Sequence, residues 1–334
     1  MTDPVLVEVL RGALVESRHR GAAAVVDADG ATVFALGDVD LPVFPRSAVK
    51  ALQALLVVES GAADRFGFGD EELALACASH SGEEGHVAVV ARMLGRAGLD
   101  ASALACGTHW PINQAAAFAL ARTGAASALH HNCSGKHAGF LCDACAMGVD
   151  HAGYWRPDHP VQQTVRRVLE EMTGATLGPE RCAIDGCSVP TWAMPLRHLA
   201  HGFAKFGTGN GLPRARAEAA ARLLTACAQK PWHVAGTGRF CTEIMKLFGA
   251  RVFVKTGAEG MFCGALPEQG LGIAVKCDDG AGRAAEVVMA SLIARLLPLD
   301  DNERAALARF VRPILRNWNG IEVGELRVTA ALFE

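Results

Sequence analysis

Two short stretches of the chain carry side chains suited to nucleophilic catalysis. In the first, Ser47-x-x-Lys50, a hydroxyl and an amine lie three residues apart at the start of an apolar, Ala- and Leu-rich run that predicts a buried helix. Residues at this spacing share a helix face, so the Lys50 amine can lie beside the Ser47 hydroxyl. A serine becomes a nucleophile when a base takes its proton, and burial can keep a lysine neutral enough to be that base. The pair therefore predicts acyl transfer through serine.

A second stretch, Cys77-Ala78-Ser79-His80, follows a short apolar run that would expose Ser79 at its end. Taken alone, Ser79-His80 is also typical of a turn or a helix cap. Late in the chain, Lys255-Thr256-Gly257 ends a predicted strand and supplies another lysine and hydroxyl. Each of these motifs alone has an ordinary structural explanation.

The cluster at residues 130–137 is harder to explain by packing, because His, Asn, Cys, Ser and Lys side chains are concentrated there. Cys133 and Lys136 lie three apart at a predicted helix start and can point to one place. Asp185-Gly186-Cys187 supplies an acid and a second thiol beside a turn glycine. Two thiolates favour zinc but are too few for a closed structural site, so a third ligand or water is needed.

Composition limits the classes of protein that the chain can be. The sequence has 334 residues, 51% of them hydrophobic, which is enough for a large core. The formal net charge is −3 and the basic residues are scattered, so we expect no nucleic-acid partner. No apolar run reaches the ~18 residues of a membrane span, so we expect no membrane association. The first residues lack the basic segment of a signal peptide, and the 11 cysteines indicate reduced thiols, so we expect a cytoplasmic location.

Strand patterns lie towards the two ends of the chain, and helical patterns fill the middle. Strands are predicted at 5–10, 22–27, 31–36, 251–256, 260–266 and 270–276, and helices at 47–60, 83–95, 136–147, 160–172, 192–204, 213–228 and 281–297. We predict a single α+β catalytic domain over residues 1–334, with a central antiparallel sheet from about 1–45 and 250–280, flanked by helices, and a helical lobe over about 61–245. Residues 101–135 are predicted to be irregular. The site would lie between sheet and lobe.

Ser47-x-x-Lys50 on a helix and Lys255-Thr256-Gly257 on a late strand resemble the motifs of serine β-lactamases and penicillin-binding proteins. The order of elements also fits that fold. The middle motif of those enzymes is missing, because no Ser-Asp-Asn occurs and the single tyrosine, Tyr154, does not begin a Tyr-x-Asn motif. The expected lack of an export signal also disfavours a penicillin-related activity.

A closer resemblance covers nearly the whole chain. Separate motifs, in the same order, resemble those of the Rhizobium etli-type, or class 3, L-asparaginases, which are related in fold to serine β-lactamases and Ser-x-x-Lys glutaminases. They are Arg18-His19-Arg20-Gly21, Pro45-Arg46-Ser47-x-x-Lys50, Cys77-x-Ser79-His80, the segment from His131 to His137, and Asp185-Gly186-Cys187. The resemblance implies a β-lactamase-like α+β fold, hydrolysis of the small-molecule substrate L-asparagine to L-aspartate and ammonia, and a homodimer.

The same resemblance implies which residues act. It pairs Ser47 with Lys50 and Ser79 with Lys136 as catalytic residues, and it implies that Cys133, Lys136 and Cys187 bind Zn²⁺, which would hold the substrate's α-amino or carboxylate group. The expected substrate-binding residues are Arg46, His80, His137, Asp185, Lys255 and Thr256, with the Arg46 guanidinium on a substrate carboxylate. Ser47 is the expected nucleophile and Lys50 its base, while Ser79 in that role stays open.

Three other functions also stay open. A Ser-x-x-Lys glutaminase would use the same chemistry in a roomier pocket, and one methylene group changes binding by only about 1–3 kcal/mol, so the sequence does not separate asparagine from glutamine. A β-lactamase or carboxypeptidase is the second alternative. The third is a non-catalytic zinc-binding or small-molecule sensor protein, which two intact serine–lysine pairs disfavour.

Overall fold

A central antiparallel sheet contains the early and the late strands of the chain. The computed structural model describes residues 2–333. The strands are β1 (Val5–Arg11), β2 (Leu14–Asp27), β3 (Thr32–Leu36), β4 (Pro42–Val43), β5 (Cys182–Ile184), β6 (Pro190–Trp192), β7 (Met194–Pro195), β8 (Phe253–Thr256), β9 (Met261–Leu266), β10 (Leu271–Cys277), β11 (Ile314–Arg316) and β12 (Glu322–Val328). The main sheet has the order β11-β12-β1-β2-β10-β9-β8, and β3 also pairs with β2.

The long strand β2 joins the two halves of this sheet. Its first half pairs with β1, and its second half pairs with β10 and β3. The partner changes at Gly21, where a Cβ atom would lie 2.0 Å from the carbonyl oxygen of Lys276 in β10, so only glycine fits there. Residues 22–26 are all buried, as expected for a strand covered on both faces.

Helices cover both faces of the sheet and form a separate lobe. They are α1 (Lys50–Gln53), α2 (Leu55–Glu59), α3 (Ala62–Arg65), α4 (Asp70–Ala76), α5 (Glu84–Arg96), α6 (Gln114–Thr123), α7 (Ser134–Met147), α8 (Pro160–Thr173), α9 (Leu196–Thr208), α10 (Arg214–Gln229), α11 (Pro231–Ala235), α12 (Phe240–Phe248), α13 (Gly282–Leu296) and α14 (Asp301–Val311). Gly264 in β9 lies against Met289 of α13, whereas its neighbour Ala265 contacts Gly207 of α9. Consecutive strand residues point to opposite faces, so α9 and α13 cover opposite faces of the sheet.

Helix α7 is the central helix of the lobe. It packs against α2, α3, α4, α5 and α8, and its residues from Ser134 to Ala144 are buried. Its approach to α4 is close, because a Cβ atom at Gly135 would lie 2.4 Å from the carbonyl oxygen of Leu75. The start of α7 is therefore fixed in the interior, beside the loop that follows α4.

The predicted α+β class, with a central antiparallel sheet and helices between its early and late strands, is confirmed. The sheet extends beyond the predicted ranges, because β12 pairs with β1 and β11 with β12. Residues 101–135 are not wholly irregular as predicted, since α6 lies there with the Asn113 side chain accepting from the Ala116 N–H. Within residues 2–333, no helix is long and apolar enough to cross a membrane.

Candidate active site

Ser79 lies in the loop after α4, where the lobe meets the sheet. Its backbone N–H donates to the carbonyl of Val234 at 3.0 Å, which fixes the loop at this residue. The residue is only 4% exposed. The predicted exposure of Ser79 at the end of an apolar run is therefore wrong: it lies in a polar interior.

Two buried lysines hold the Ser79 hydroxyl. Nζ of Lys50, the first residue of α1, lies 3.0 Å from Oγ, and Nζ of Lys255 in β8 lies 2.8 Å from it. Lys50 also donates to the carbonyl of Ala78 at 2.8 Å and contacts the Cys133 sulfur at 3.1 Å. The serine thus lies between one lysine from the sheet and one from the helix that begins the lobe.

Lys255 has the properties of a general base. It is completely buried, and burial, followed by the positive charge of Lys50, lowers its pKa to about 7. Its other hydrogen bond is to the carbonyl of Thr256, at 2.8 Å. With a pKa near neutrality, about half of the Lys255 amines are uncharged at pH 7 and able to accept a proton.

The predicted serine–lysine pairs are not the hydrogen-bonded pairs of the structure. Over residues 2–333, the half-buried Ser47 hydroxyl forms no hydrogen bond, and the Lys50 amine instead reaches Ser79. The amine of Lys136 bonds to a thiol rather than to Ser79. Lys255, expected only to line the cleft, takes the place of Lys136 as a partner of Ser79. The catalytic roles of all these residues stay predictions.

Cys133, Lys136 and Cys187, the predicted zinc ligands, lie in one cluster. Cys133 precedes α7, Lys136 is in its first turn, and Cys187 lies in the turn between β5 and β6. Nζ of Lys136 is 3.1 Å from the Cys187 sulfur. A hydrogen bond from Cys187 holds the pKa of Cys133 well below its usual value, against the effect of burial and with help from Lys50 and Lys136. The same bond and burial raise the pKa of Cys187.

The donor set of this cluster fits a zinc ion. Two sulfur atoms and an amine nitrogen lie together, and they leave a fourth position open. Burial acts to lower the pKa of Lys136, but Cys187 and Cys133 outweigh it and the pKa is raised, so binding a metal would have to displace a proton from the amine. In the part of the chain described, no three His, Cys, Asp or Glu side chains form a metal-binding group, because the third donor here is a lysine.

Arg46 and Asp185 form an ion pair beside the thiol cluster. The Cys187 sulfur lies 3.3 Å from the other oxygen of Asp185. Burial acts to raise the pKa of Asp185, but Lys136 and Arg46 outweigh it and the pKa is lowered. The Arg46 backbone has a φ of 50°, which costs a non-glycine residue about 1–2 kcal/mol. Only the Nε atom of Arg46 bonds to Asp185, so the predicted binding of a substrate carboxylate by Arg46 stays a prediction.

The two histidines predicted to bind substrate are buried, and burial lowers the pKa of both well below the usual value. Nε2 of His80 lies 2.9 Å from the Ser134 hydroxyl, and Nδ1 accepts the N–H of Gly82 at 3.1 Å. His80 therefore has no free ring nitrogen for a substrate. Nδ1 of His137 lies 2.6 Å from the Tyr154 hydroxyl, and its Nε2 has no partner over residues 2–333.

Sequence reasoning missed the segment from Val234 to Cys241, which borders the Ser79 site on two sides. Val234 accepts the Ser79 N–H, and the Cys241 thiol forms a hydrogen bond with the main chain of Thr256. Arg239 lies between them as the residue before α12. The signal was the sequence Gly-Thr-Gly-Arg ahead of an apolar helix, which marks a loop carrying one cation.

The geometry agrees with a comparison against protein families. The profile described as L-asparaginase II matches residues 7–328. The chain belongs to the L-asparaginase II family. The asparaginase family predicted from the sequence is therefore confirmed, and it makes the protein a hydrolase that acts on amide bonds. A comparison with curated proteins gave no significant match.

Solved structures similar to this L-asparaginase II family member are distant. A β-lactamase from Mycobacterium bovis has 13% sequence identity, with 83% of this chain and 95% of that chain covered and a TM-score of 0.43. A structure of Mglu has 16% identity, with 84% of this chain and 69% of that chain covered and a TM-score of 0.38. Similarities at this level carry no argument about the substrate.

Proposed function

We propose that the protein hydrolyses L-asparagine to L-aspartate and ammonia through a serine ester. The observation that supports this most is the Ser79 hydroxyl, which bonds to Lys50 and Lys255 in a buried site. Family membership supplies the amide substrate class, and the lysine with a pKa of about 7 supplies a base at neutral pH.

In the first half of the reaction, uncharged Lys255 takes the Ser79 proton while Oγ attacks the carbon of the side-chain amide. The C–N bond then breaks, and the proton moves from Lys255 to the nitrogen, which leaves as ammonia. In the second half, water gives a proton to Lys255 and attacks the ester carbon. The C–Oγ bond breaks, Oγ regains its proton, and aspartate is released. Lys50, which donates to Oγ, stabilises the negative charge that develops there.

Ser47, with Lys50 as its base, is the competing nucleophile. Ser47 is half-buried whereas Ser79 is buried, so a substrate reaches Ser47 more readily. The hydrogen bonds favour Ser79, because Lys50 donates to it and not to Ser47. The two assignments predict opposite results for single alanine variants.

We also propose that Cys133, Lys136 and Cys187 hold Zn²⁺, since their sulfur and nitrogen atoms are adjacent and of a type that zinc prefers. When bound, zinc supplies a Lewis acid for the α-amino or carboxylate group of the substrate. Asp185 lies 3.3 Å from the Cys187 sulfur and pairs with Arg46, so it restrains the turn that carries this ligand. The homodimer is a proposal that rests on the resemblance, and the cytoplasmic location is one that rests on the cysteine content.

The first experiment measures ammonia release from L-asparagine and L-glutamine with the wild type, Ser79→Ala, Ser47→Ala and the control Ser102→Ala, an exposed serine. We expect release from asparagine to be lost in Ser79→Ala and unchanged in Ser102→Ala. Adding hydroxylamine should convert the serine ester to β-aspartyl hydroxamate, which is detected by mass spectrometry.

Loss of activity in Ser47→Ala alone would make Ser47 the nucleophile. Equal or faster ammonia release from glutamine would contradict the assignment of asparagine as the preferred substrate. No release from either amide, with zinc present, would contradict the proposed function, and reaction with a chromogenic β-lactam would then be tested.

A further inference from the structure

Arg239 carries a buried guanidinium nitrogen that no protein group satisfies. Its Nη1 atom is inaccessible and has no hydrogen-bond partner over residues 2–333. In the same part of the chain, no carboxylate lies within 4.0 Å of this side chain. A buried polar nitrogen without an acceptor is costly, and the cost is removed when an anion binds beside it.

The position of Arg239 relates this nitrogen to the catalytic serine. On one side of Arg239, Val234 accepts the Ser79 N–H at 3.0 Å. Gly236 lies so close to Ser81 that a Cβ atom would approach the hydroxyl oxygen to 2.5 Å. On the other side, the thiol of Cys241 bonds to the main chain at the end of β8. The loop is therefore held against the serine loop at one end and against the Lys255 strand at the other.

The charge of Arg239 also acts on the Lys255 amine. Arg239 is among the cations that lower the pKa of Lys255, after burial and Lys50. Arg239 also acts on Glu286 of α13, whose pKa is raised by burial although the charge of Arg239 acts to lower it. Glu286 forms no ion pair with Arg239 within 4.0 Å. The site thus has a positive charge without a paired negative one.

An amino-acid amide brings that negative charge. The α-carboxylate of the substrate needs a cation, and a planar guanidinium is the side chain that best matches a carboxylate. The charge of Arg46, the sequence-based candidate, is balanced by Asp185, which bonds to its Nε atom. The amines of Lys50 and Lys255 bond to Ser79. Over residues 2–333, Arg239 has no paired carboxylate and its Nη1 atom has no acceptor.

We infer that the Arg239 guanidinium binds the α-carboxylate of the substrate, and so selects free amino-acid amides over amides that lack this group. The inference rests on the proposed hydrolysis of asparagine. It assigns to Arg239 the recognition role that the sequence suggested for Arg46.

The test compares L-asparagine with 3-aminopropanamide, which is asparagine with the α-carboxylate replaced by hydrogen. Ammonia release is measured for the wild type, Arg239→Gln, Arg239→Lys and the control Arg214→Gln, a remote arginine whose side chain is 91% exposed. Because Arg239 also acts to lower the pKa of Lys255, rates are compared at about pH 9, where the Lys255 amine is uncharged. We expect Arg239→Gln to raise KM for asparagine about 10- to 100-fold, the size of a charged hydrogen bond, with kcat/KM for 3-aminopropanamide unchanged. Arg239→Lys should recover part of the loss, and Arg214→Gln should match the wild type.

Equal losses on both substrates, or no change on either, would overturn the inference, since a structural role does not distinguish them. Thermal melting shows whether Arg239→Gln is folded. If it is not, Arg239→Lys is used instead, and the inference is tested by the ratio of kcat/KM for asparagine to kcat/KM for 3-aminopropanamide. A wild type that releases no ammonia from asparagine overturns the proposed function, and with it the inference. A wild type that hydrolyses asparagine while Arg239→Gln keeps its KM overturns the inference alone.

Discussion

The pH dependence of catalysis tests the role of Lys255 most directly. This lysine acts as a base only when it is uncharged, and its pKa of about 7 lies far below the ordinary lysine value of 10.5. The sign follows from the charge: below pH 7 the amine is protonated and cannot accept the serine proton, and above pH 7 it is free. Catalysis should therefore be lost as the pH falls through 7.

The size of the change follows from the same pKa. At pH 6 about one Lys255 amine in eleven is uncharged, and at pH 8 about ten in eleven are, so kcat/KM should rise about tenfold between these values and then level off. The pKa reflects burial and the surrounding ionisable groups, which include Lys50, Cys241, Arg239 and Cys133. Because Lys50 and Arg239 are cations, both act to lower the pKa.

The assay measures ammonia release from L-asparagine between pH 5.5 and 9 at constant ionic strength. Lys255→Arg keeps the positive charge at every pH in this range, so it should reduce kcat by about 10²–10⁴ and remove the ionisation near 7. Lys246→Arg, at a half-exposed lysine of α12, is the matched control and should keep the wild-type profile. A flat wild-type profile, or one that rises only above pH 9, would refute the reasoning, as would the same rise in Lys255→Arg.

Three further predictions concern stability and metal binding. Burial raises the pKa of Asp143 to about 8 from an ordinary 3.8, so the native protein binds the extra proton in this range and loses stability as the pH rises. Asp143→Asn should lack this loss. The Tm of the variant minus the Tm of the wild type should therefore increase from pH 5 to pH 8. A difference that stays constant would contradict the prediction. Gly135→Ala places a Cβ atom 2.4 Å from a backbone oxygen and should lower the free energy of unfolding by about 1–3 kcal/mol in urea, whereas Gly95→Ala, with open space around its Cβ position, should raise it by up to about 1 kcal/mol. Cys133→Ser and Cys187→Ser should each reduce the zinc content measured by mass spectrometry and raise KM more than they lower kcat, and a large loss of kcat at unchanged KM would exclude the proposed role of the metal.

Local patterns in the sequence were sufficient for six of the twelve strands given above and for most of the longer helices. The Asp29-Gly30 hairpin, the helix from Pro160 to Thr173 and the late strands have clear periodicity or turn residues, and the structure contains them. Helix α6 was missed because none of its residues is fully buried, so it has no strong apolar face. Strand β11 is at the edge of the sheet and β12 is next to it, and both were missed because their residues are mostly exposed or half-buried.

The sequence indicated which residues gather near the site better than it indicated which of them form hydrogen bonds with each other. Helical spacing predicts that Ser47 and Lys50 share a face, but it does not say where a long, buried side chain ends. Lys50 extends to Ser79 because the loop after α4 offers acceptors there. The contact between Ser79 and Lys255 joins residues 176 positions apart, and such pairs depend on the packing of the whole chain. The ion pair between Arg46 and Asp185, which are 139 positions apart, also depends on the packing of the whole chain.

The pairing of the sheet has a consequence for synthesis on the ribosome. Val7 in β1 pairs with Val328 in β12, and the second half of β2 pairs with β10, so the first strands to be made wait for partners near the other end of the chain. Until those partners emerge, the apolar run at residues 22–26 lacks the strand that covers it. Contacts of such large sequence separation form slowly, and unpaired apolar strands tend to aggregate. The N-terminal hairpin therefore has to be protected during translation, and substitutions in β10 or β12 can reduce the yield of protein without touching the catalytic residues.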